Sequence, residues 1–546
     1  MSVRSDEKTV RSDEERSDEG PSDVRPSDES PKQRTGLIAA VACAGIFVGY
    51  LPIMAATVGL SEIARATQAS ASDLEWVVSM LVLPMAALIL AFGAWAEKWG
   101  RRRVLTAGLV LALIGGIVAT SAGLVDGDSA IYFIWVGQGL AGAGAAALIP
   151  TTLSIISVAQ PDHRRRAVLI AAWSGAMMAA MAVAAYVSAL ILDLLSWYWL
   201  FSPVVVAAAL VLVLGVRLVP ESRGGAGASL DVPGQILTAL GVAALVYGVI
   251  NGGADGFSSG KSIAAFIVAV VAIGGFIVVE LRSTAPLLDL RVFSNINFSM
   301  SALVAAIAMF AYLGVNFGLA LYFSALDLSP IEVANRYIFI IGGSVLGSNI
   351  AGRTLHRFNA QSVLAAACVW TALAMAVLSF IDADAPVWQA DLRLLLTGIG
   401  IGGVLATVTA AAVNAVPFRQ AGMASAAINA VRQTGGALGP AVFSIMSASW
   451  ALSALPDKLL DAGVDGPSSA VVEEIVDSQG IQHGGAVAQA RFPDAGLHDA
   501  LSAAQAHGFS LAAVAAASVF GLLGIGCAVL RVVGRRGASE ETVSLT

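Results

Sequence analysis

The chain has 546 residues, of which 57% are hydrophobic and 13% are charged, and its formal net charge is −7 at pH 7. A soluble domain carries about 25% charged residues, so this composition argues against a protein built from several soluble domains. The apolar residues are gathered in runs of about 20, the length at which a helix crosses the hydrocarbon core of a bilayer. The composition therefore predicts an integral membrane protein.

The first 35 residues form a separate acidic segment. "RSDE" recurs at Arg4, Arg11 and Arg16, and "PSD" recurs at Pro21 and Pro26. Such mixed-charge, Ser- and Pro-containing sequence has little apolar surface to bury, so we expect residues 1–35 to be disordered. The segment also lacks the apolar region of a signal peptide. A solvated tail is the simpler interpretation, and a partner-binding segment is the alternative.

Fourteen apolar runs follow this tail. Backbone groups in lipid have no water to bond, so these runs must be helical. A count of twelve or thirteen stays open, because the runs at 262–280 and 336–352 are short. We place the spans near 36–60, 76–96, 104–124, 130–157, 167–192, 198–216, 233–251, 262–280, 299–323, 336–352, 361–381, 392–416, 421–450 and 508–531.

Basic residues are distributed unequally between the loops. The loops after even-numbered spans, together with the C-terminal tail, hold 17 of the 31 Lys and Arg residues, whereas the loops after odd-numbered spans hold 6. Cytoplasmic loops collect Lys and Arg. We therefore expect both termini, including the tail 532–546, to lie in the cytoplasm of a multi-pass protein of the cell membrane.

The stretch "GAWAEKWGRRRVL" joins the second and third spans and would form a cytoplasmic hairpin. It resembles the conserved hairpin motif of the major facilitator superfamily, G-x-x-x-[DE]-[KR]-x-G-[RK]-[RK]. Glycines permit a tight turn, and the charges can bridge to the ends of neighbouring helices, so we predict a gating latch. A generic basic loop would explain the arginines but not the spacing of Gly93 and Glu97. The residues that fit are Gly93, Glu97, Lys98, Gly100, Arg101 and Arg102.

Four further stretches resemble the fourteen-helix drug exporters of that superfamily. The resemblance extends from about residue 36 to 531. The stretches are "QGLAGAGAAALIPTTLSII" from Gln138, "WYWLF" from Trp197, "APLLDLRVF" from Ala285 and "AGMASAAINAVRQTGGALGPAV" from Ala421.

The resemblance implies an all-α membrane fold of two six-helix bundles, at 36–216 and 299–531, with two extra central helices in the insertion 217–298. In such transporters the substrate site lies near the middle of the bilayer between the bundles. The implied activity is secondary transport, in which a drug- or antibiotic-like amphipathic molecule is exported by alternating access in exchange for protons. The implied partners are the bilayer, the substrate and protons.

Three elements that the family links to export or proton coupling are missing. Pro52 stands where the first span usually carries an Asp, and Trp135 replaces the fourth-span Arg. The fifth-span G-P-x-x-G-G element appears as "AAYVSA" from Ala184. These departures favour one alternative, an uncoupled facilitator or importer. A second alternative is a non-transporting receptor derived from the fold, which a tail that recruits partners would indicate.

One charged residue lies inside a predicted span. A central Arg costs about 2.5–3.5 kcal/mol to insert, so it normally faces a cavity or a partner. We predict that Arg432 lines the substrate path with Asn429 on its face, and an Arg bonded to backbone carbonyls of a neighbouring helix is the alternative. Aromatic and amide side chains suit a bulky, mostly apolar ligand. The other candidates of this kind are Gln433, Gln138, Trp135, Tyr312 and Asn316.

Carboxylates near the membrane, which could carry a proton, are few. We expect them to be solvated charges at helix ends. They are Asp73, Glu75, Asp193 and Glu280.

Other chemistries find little support in the sequence. "GIGIGG" from Gly398 matches G-x-G-x-x-G but lies inside an apolar run, so we interpret it as a helix-packing element rather than a dinucleotide site. No Cys or His spacing indicates a metal, and no catalytic dyad indicates an enzyme. We expect no cofactor, metal or nucleic-acid partner, and a monomeric, bacterial protein. The 57 residues from 451 to 507 would form an extracytoplasmic loop, either a cap with short helices or a disordered connector.

Overall fold

The computed structural model describes residues 31–544, apart from 126, 224–230, 284–289, 327, 382–385, 418–420, 465, 480, 482 and 493–494. The predicted disordered tail 1–35 therefore lies almost wholly outside the described residues. The described helices are α1 (Pro31–Val58), α2 (Leu60–Thr67), α3 (Ala71–Trp99), α4 (Arg101–Thr120), α5 (Ala130–Ala159), α6 (His163–Leu194), α7 (Ser202–Leu218), α8 (Val232–Asp255), α9 (Gly260–Arg282), α10 (Ile296–Ala325), α11 (Pro330–Leu355), α12 (Ala360–Leu378), α13 (Val387–Asn414), α14 (Ala421–Asp461), α15 (Gly466–Gln479), α16 (His483–Arg491) and α17 (Ala495–Ser544).

In this described part, 14 helices are long and apolar enough to cross a membrane, which confirms the predicted count. Most spans begin and end within a few residues of the prediction, as at Thr35–Val58 and Ala130–Ala159. The tenth span is no short segment, because it extends over Pro330–Leu355. The thirteenth and fourteenth are much longer than predicted, at Met423–Asp461 and Gly496–Val532.

The first bundle consists of α1 and α3 to α7. Small residues let its helices approach closely, as expected where packing rather than the hydrophobic effect drives association. At the crossing of α4 and α5, a Cβ added to Gly115 would lie 2.5 Å from the backbone oxygen of Gly137.

The second bundle consists of α10 to α14 and α17. Its closest crossing is between α11 and α13, where the "GIGIGG" stretch lies. A Cβ on Gly402 would lie 2.0 Å from the backbone oxygen of Ser344, and one on Gly398 would lie 2.2 Å from that of Ile340. The glycines therefore serve helix packing, as the sequence predicts.

The insertion consists of α8 and α9, which pack on each other, while α8 also lies against α3 and α14. Asp231 caps α8, because its Oδ1 accepts a hydrogen bond from the backbone nitrogen of Gly234 at 3.0 Å. Glu280, near the end of α9, is only 4% exposed. The expectation that Glu280 is a solvated charge is wrong, because the packing of α9 against α8 buries it. Asp193 is exposed, as predicted.

The segment 451–507 is mostly helical in its described part. The ends of α14 and α17 extend beyond the bundle, and α15 and α16 lie between them. Leu459, Val472, Val476 and Leu497 are buried together in one apolar cluster. Of the two alternatives for this segment, the packed helices fit a folded unit rather than a disordered connector.

The two bundles meet along a surface that we call the bundle seam, where α1, α3 and α6 face α10, α11 and α14. We call the end of the molecule at Gly100, between α3 and α4, the hairpin end, and the opposite end the far end. At the far end, Leu60 and Ile63 of α2 lie in one apolar cluster with Phe317 and Ala320 of α10. The seam is therefore closed at the far end.

Candidate substrate path between the bundles

The polar face of α14 lies on the seam. Asn429, Arg432 and Gln433 follow at the spacing of one helix face, and Gly436 continues that face by one more turn. A Cβ on Gly436 would lie 2.9 Å from Met309 of α10 and 3.7 Å from Val82 of α3. The same face of α14 therefore meets one helix from each bundle.

Hydrogen bonds hold part of this face in place. A terminal nitrogen of Arg432, Nη2, donates to Oδ1 of Asn429 at 2.7 Å. Nδ2 of Asn429 in turn donates to the backbone oxygen of Ser425 at 3.0 Å. The guanidinium is thus oriented from its own helix, with no backbone carbonyl of a neighbouring helix bonded to it in the described structure.

Other atoms of the face have no partner. Gln433 is fully buried, yet neither its Oε1 nor its Nε2 has a hydrogen bond to a described residue. Nε of Arg432 is also buried without a bond in the same region. An unsatisfied buried polar group costs about 1–3 kcal/mol, so such groups usually have a partner. These atoms can be satisfied by water or by a bound ligand.

Three buried tyrosines extend from this face along the seam. Tyr50 of α1 is only 3% exposed. Tyr312 of α10 and Tyr337 of α11 are buried in the same apolar cluster as Tyr50. The hydroxyl of Tyr312 donates to Sδ of Met181 on α6, across the seam, at 3.6 Å. The tyrosines connect the two bundles near the middle of the span.

Asn316 fixes the α10 side of this tyrosine group. Its Nδ2 donates to the backbone oxygen of Tyr312 at 2.5 Å, and the backbone oxygen of Asn316 accepts a hydrogen bond from the hydroxyl of Tyr337 at 2.6 Å. Oδ1 of Asn316 is buried without a partner among the described residues. It is therefore a further polar atom available to a ligand.

Two sequence candidates lie elsewhere. Nε1 of Trp135 donates to the backbone oxygen of Asp73 at 3.1 Å, and Nε2 of Gln138 donates to that of Val77 at 3.4 Å. Both bonds tie α5 to α3 inside the first bundle. The structure thus brings five of the seven predicted path residues to the seam and leaves Trp135 and Gln138 in helix packing.

The predicted latch residues are anchored within the first bundle. Gly100 has φ +115°, and a Cβ there would lie 2.3 Å from Oε1 of Glu221. The backbone nitrogen of Arg101 donates to the backbone oxygen of Ser222 at 2.9 Å, and its Nε donates to Oγ of Ser154 at 2.6 Å. The hairpin is thereby fastened to the chain after α7 and to α5.

The remaining latch residues divide into two groups. The backbone nitrogen of Arg102 donates to Oε1 of Glu221 at 3.2 Å, and Gly93 faces Pro150 of α5. Glu97 and Lys98 are exposed, and neither has a hydrogen bond or ion pair to the described part of the chain. The two charges are therefore available for contacts that form in another conformation.

Sequence reasoning missed Tyr50, Tyr337 and Met181, and it treated Glu75 as a solvated charge. Glu75 is only 4% exposed, and its carboxyl group is within hydrogen-bonding reach of the Ser444 hydroxyl on α14. The expectation is wrong because α3 begins at Ala71 and carries Glu75 into the seam. The capping box formed by Ser70 and Asp73 was the signal for this earlier start.

Two helical bundles that meet along a polar seam near mid-membrane define a class of proteins, the alternating-access membrane transporters. A family model described as Major Facilitator Superfamily matches residues 38–440. The chain belongs to the Major Facilitator Superfamily and is a transporter rather than an enzyme.

Curated relatives are bacterial resistance proteins at modest identity. The chain is 29% identical over 454 residues to the multidrug resistance protein Stp of Mycobacterium tuberculosis, with 82% of each chain covered. It is 27% identical over 412 residues to the tetracenomycin C resistance and export protein of Streptomyces glaucescens, with 74% of this chain and 75% of the relative covered.

Solved structures share the fold. A bacterial homologue of the human lysosomal transporter Spinster gives a TM-score of 0.57 at 17% identity, with 91% of this chain and 96% of that chain covered. A D-xylose–proton symporter gives a TM-score of 0.54 at 16% identity, with 76% and 90% covered. Both findings agree with the two-bundle fold.

Proposed function

We propose that the protein exports drug- or antibiotic-like amphipathic molecules by alternating access along the bundle seam. The observation that carries this proposal is the set of buried, unpartnered polar atoms on Arg432, Gln433 and Asn316 where the bundles face each other. The names of the relatives, which include multidrug resistance and antibiotic export, support the substrate class.

The chemistry of the seam suits such a substrate. Tyr50 and Tyr312 present aromatic surface, Gln433 and Asn316 offer amide groups, and Arg432 supplies a positive charge. A site that is mostly apolar, with a few oriented polar groups, binds bulky amphipathic molecules. We therefore expect preferred substrates to carry fused or linked aromatic rings with a carbonyl or an anionic group for Arg432.

The proposed sidedness fixes which end of the seam is closed to the outside. The excess of Lys and Arg in the loops at the hairpin end favours a cytoplasmic position for this end and for both termini. The closed far end then faces outward, so the seam takes up its substrate from the cytoplasmic side. Within this scheme the bundles are 36–216 and 299–531, the insertion is 217–298, and the unit is a monomer in the cell membrane.

The driving force has two candidates. Proton antiport fits the family, whereas uncoupled facilitation is favoured by Pro52 and Trp135 at positions where the drug exporters usually carry an Asp and an Arg. Both candidates use the same seam and differ in their response to a pH gradient.

Uptake into everted membrane vesicles tests the proposal. Vesicles from cells that produce the protein should accumulate a lipophilic dye, puromycin or tetracenomycin C faster than vesicles from cells without it. Loss of accumulation when an imposed pH gradient is collapsed indicates antiport, and equilibration that ignores the gradient indicates facilitation. No difference from empty vesicles for any probe would contradict the proposed function.

A further inference from the structure

Glu75 lies at the junction of three helices at the far end of the seam. Its carboxyl group faces Ser444 of α14 and is almost fully buried. The next residue, Trp76, contacts the ring of Tyr247 on α8 at 6.0 Å between centroids. Ile445 of α14 lies against Gly253 of α8, so α14 and α8 also touch each other here. Glu75 is therefore enclosed between α3, α8 and α14.

The groups around this carboxyl leave it without a cation. From the helices packed against α3, the described titratable side chains near this end are Tyr247 of α8 and Tyr132 of α5, and α14 contributes the neutral Ser444. Four carboxylates of these and adjoining segments have partners of their own. Asp73 is held by Ser70, Glu62 pairs with Arg65 at 3.0 Å, Asp255 with Lys261 at 3.4 Å, and Asp461 with Lys458 at 3.7 Å.

A carboxylate in such a place is strongly disfavoured, because its charge is removed from water and no opposite charge compensates it. The protonated carboxyl is neutral, so its burial costs far less than burial of the carboxylate. When α3 separates from α14, the same group meets water and can ionise. Closure of the far end and protonation of Glu75 are therefore linked by the geometry of the seam.

A second observation points along the same face. Ser79 lies one turn further into α3, is fully buried, and its hydroxyl has no partner among the described residues. Beyond it, Val82 faces Gly436, one turn from the unpartnered Gln433. Polar groups thus continue from Glu75 toward the proposed substrate path.

We propose that Glu75 is a proton-binding site of the transport cycle, which takes up a proton from the far-side solution when α3 closes against α14 and releases it when they part. The step forms and breaks one O–H bond and needs no other reactant. This inference rests on the proposed alternating access.

Spin-label distances across the far end test the inference without any substrate. Labels on cysteines at Ser196, after α6, and Ile331, on α11, would report the opening of the far end in liposomes, with Cys43, Cys368 and Cys527 replaced. In the otherwise unchanged protein, the ratio of closed to open molecules should fall as the pH rises, by at most about tenfold per pH unit for one linked proton. In Glu75→Gln, which cannot ionise, the closed distance should persist at every pH.

The matched control is Glu62→Gln, which neutralises a carboxylate of α2 at the same end and should keep the pH response. If the label-to-label distance of Glu75→Gln at low pH equals that of the labelled protein with Glu75 present, the variant is folded. A pH response that survives in Glu75→Gln, or that is missing with Glu75 present, overturns the inference. Absence of dye uptake by the wild type would contradict the proposed function instead, since the label distances are measured without substrate.

Discussion

The hydroxyl of Tyr186 donates a hydrogen bond to Oδ1 of Asn335 at 2.9 Å, and this bond joins α6 of the first bundle to α11 of the second. It lies nearer the far end than the contact of Tyr312 with Met181, which joins the same bundle surfaces at 3.6 Å. Both contacts belong to the state in which the far end is closed, because neither pair can stay together when α6 moves away from α10 and α11 of the second bundle.

Removal of the outer contact should favour opening. Tyr186→Phe deletes one hydroxyl from a partly solvated hydrogen bond worth about 0.5–1 kcal/mol, so the open fraction should rise about two- to fivefold. The measurement is the rate at which a membrane-impermeant thiol reagent modifies a cysteine at Ala320, which is 6% exposed in the closed cluster. Tyr132→Phe, at an exposed tyrosine inside the first bundle, should leave that rate unchanged. Equal rates in all three proteins would contradict the prediction.

Arg432 and Arg336 are both arginines of the second bundle, and they should behave oppositely when each is replaced by Ala. Arg432 has an unpartnered Nε and carries the usual cost of a central charge, about 2.5–3.5 kcal/mol, so its loss should leave the melting temperature unchanged or raised. Uptake should fall at least about tenfold, which corresponds to about 1.4 kcal/mol of lost transition-state binding. Arg432→Lys keeps the charge and should retain part of the uptake.

The comparison with Arg336 shows whether Arg432 has a structural role. Arg336→Ala should lower the melting temperature, because this arginine is 15% exposed and pairs with Asp391 at 2.6 Å. If Arg432→Ala lowers the melting temperature by a similar amount and uptake per folded molecule is kept, Arg432 is a packing residue and not part of the path.

Some features of the fold and of the proposed substrate path could be predicted from the sequence, because a general physical rule determines them. The spans were predictable, because an apolar run of about 20 residues in lipid must close its backbone hydrogen bonds as a helix. The orientation of the α14 face with Asn429 and Arg432 was predictable for a second reason, because a charged side chain in a span is costly when it faces lipid.

The partners of the helices were not predictable by these rules. Lipid and protein interior are both apolar, so hydropathy does not tell which side of a span meets another helix. The sequence therefore predicts Trp135 and Gln138 as cavity-lining residues, whereas in the structure they donate hydrogen bonds to backbone oxygens of α3. Tyr50 and Glu75 contribute to the seam only through helices of the second bundle, which are distant in the sequence.

The ion pair between Arg336 and Asp391 should stabilise the second bundle. Nη1 of Arg336 also donates to the backbone oxygen of Val387 at 3.2 Å, so the pair holds α11 to the start of α13. Asp391→Asn leaves the guanidinium without its counter-charge, and we expect a loss of about 1–3 kcal/mol, below the 3–5 kcal/mol of a fully buried pair. The melting temperature of the purified protein should fall accordingly.

A double-mutant cycle checks that the loss comes from the pair. Asp391→Leu combined with Arg336→Met should be more stable than Asp391→Leu alone, because it removes the uncompensated charge. If the two single changes simply add, the pair contributes nothing of its own. Uptake per folded molecule should be retained in the double variant, since the pair is not on the proposed path.

Substitution of Gly100 by Ala should destabilise the protein more than the same change at a glycine that has free space around the added Cβ. Two separable effects contribute. Its φ of +115° strains every residue with a side chain, and a Cβ would overlap the carboxyl group of Glu221. Gly463 has φ +72° with nothing within 4 Å of the added carbon, so Gly463→Ala carries only a backbone cost, about 1–2 kcal/mol for a left-handed residue. Gly100→Ala must also displace Glu221 from the backbone nitrogen of Arg102, and we expect it to cost at least about 1 kcal/mol more.

Melting temperatures of the two glycine variants measure this difference, and a second change identifies its origin. Glu221→Ala removes the overlapping carboxyl group. Glu221→Ala should therefore destabilise the Gly100→Ala variant less than it destabilises the wild type. If Gly100→Ala and Gly463→Ala lower the melting temperature equally, the contact with Glu221 does not stabilise the hairpin. A hairpin held in this way moves as part of the first bundle, and we propose that the exposed Glu97 and Lys98 exchange partners during transport.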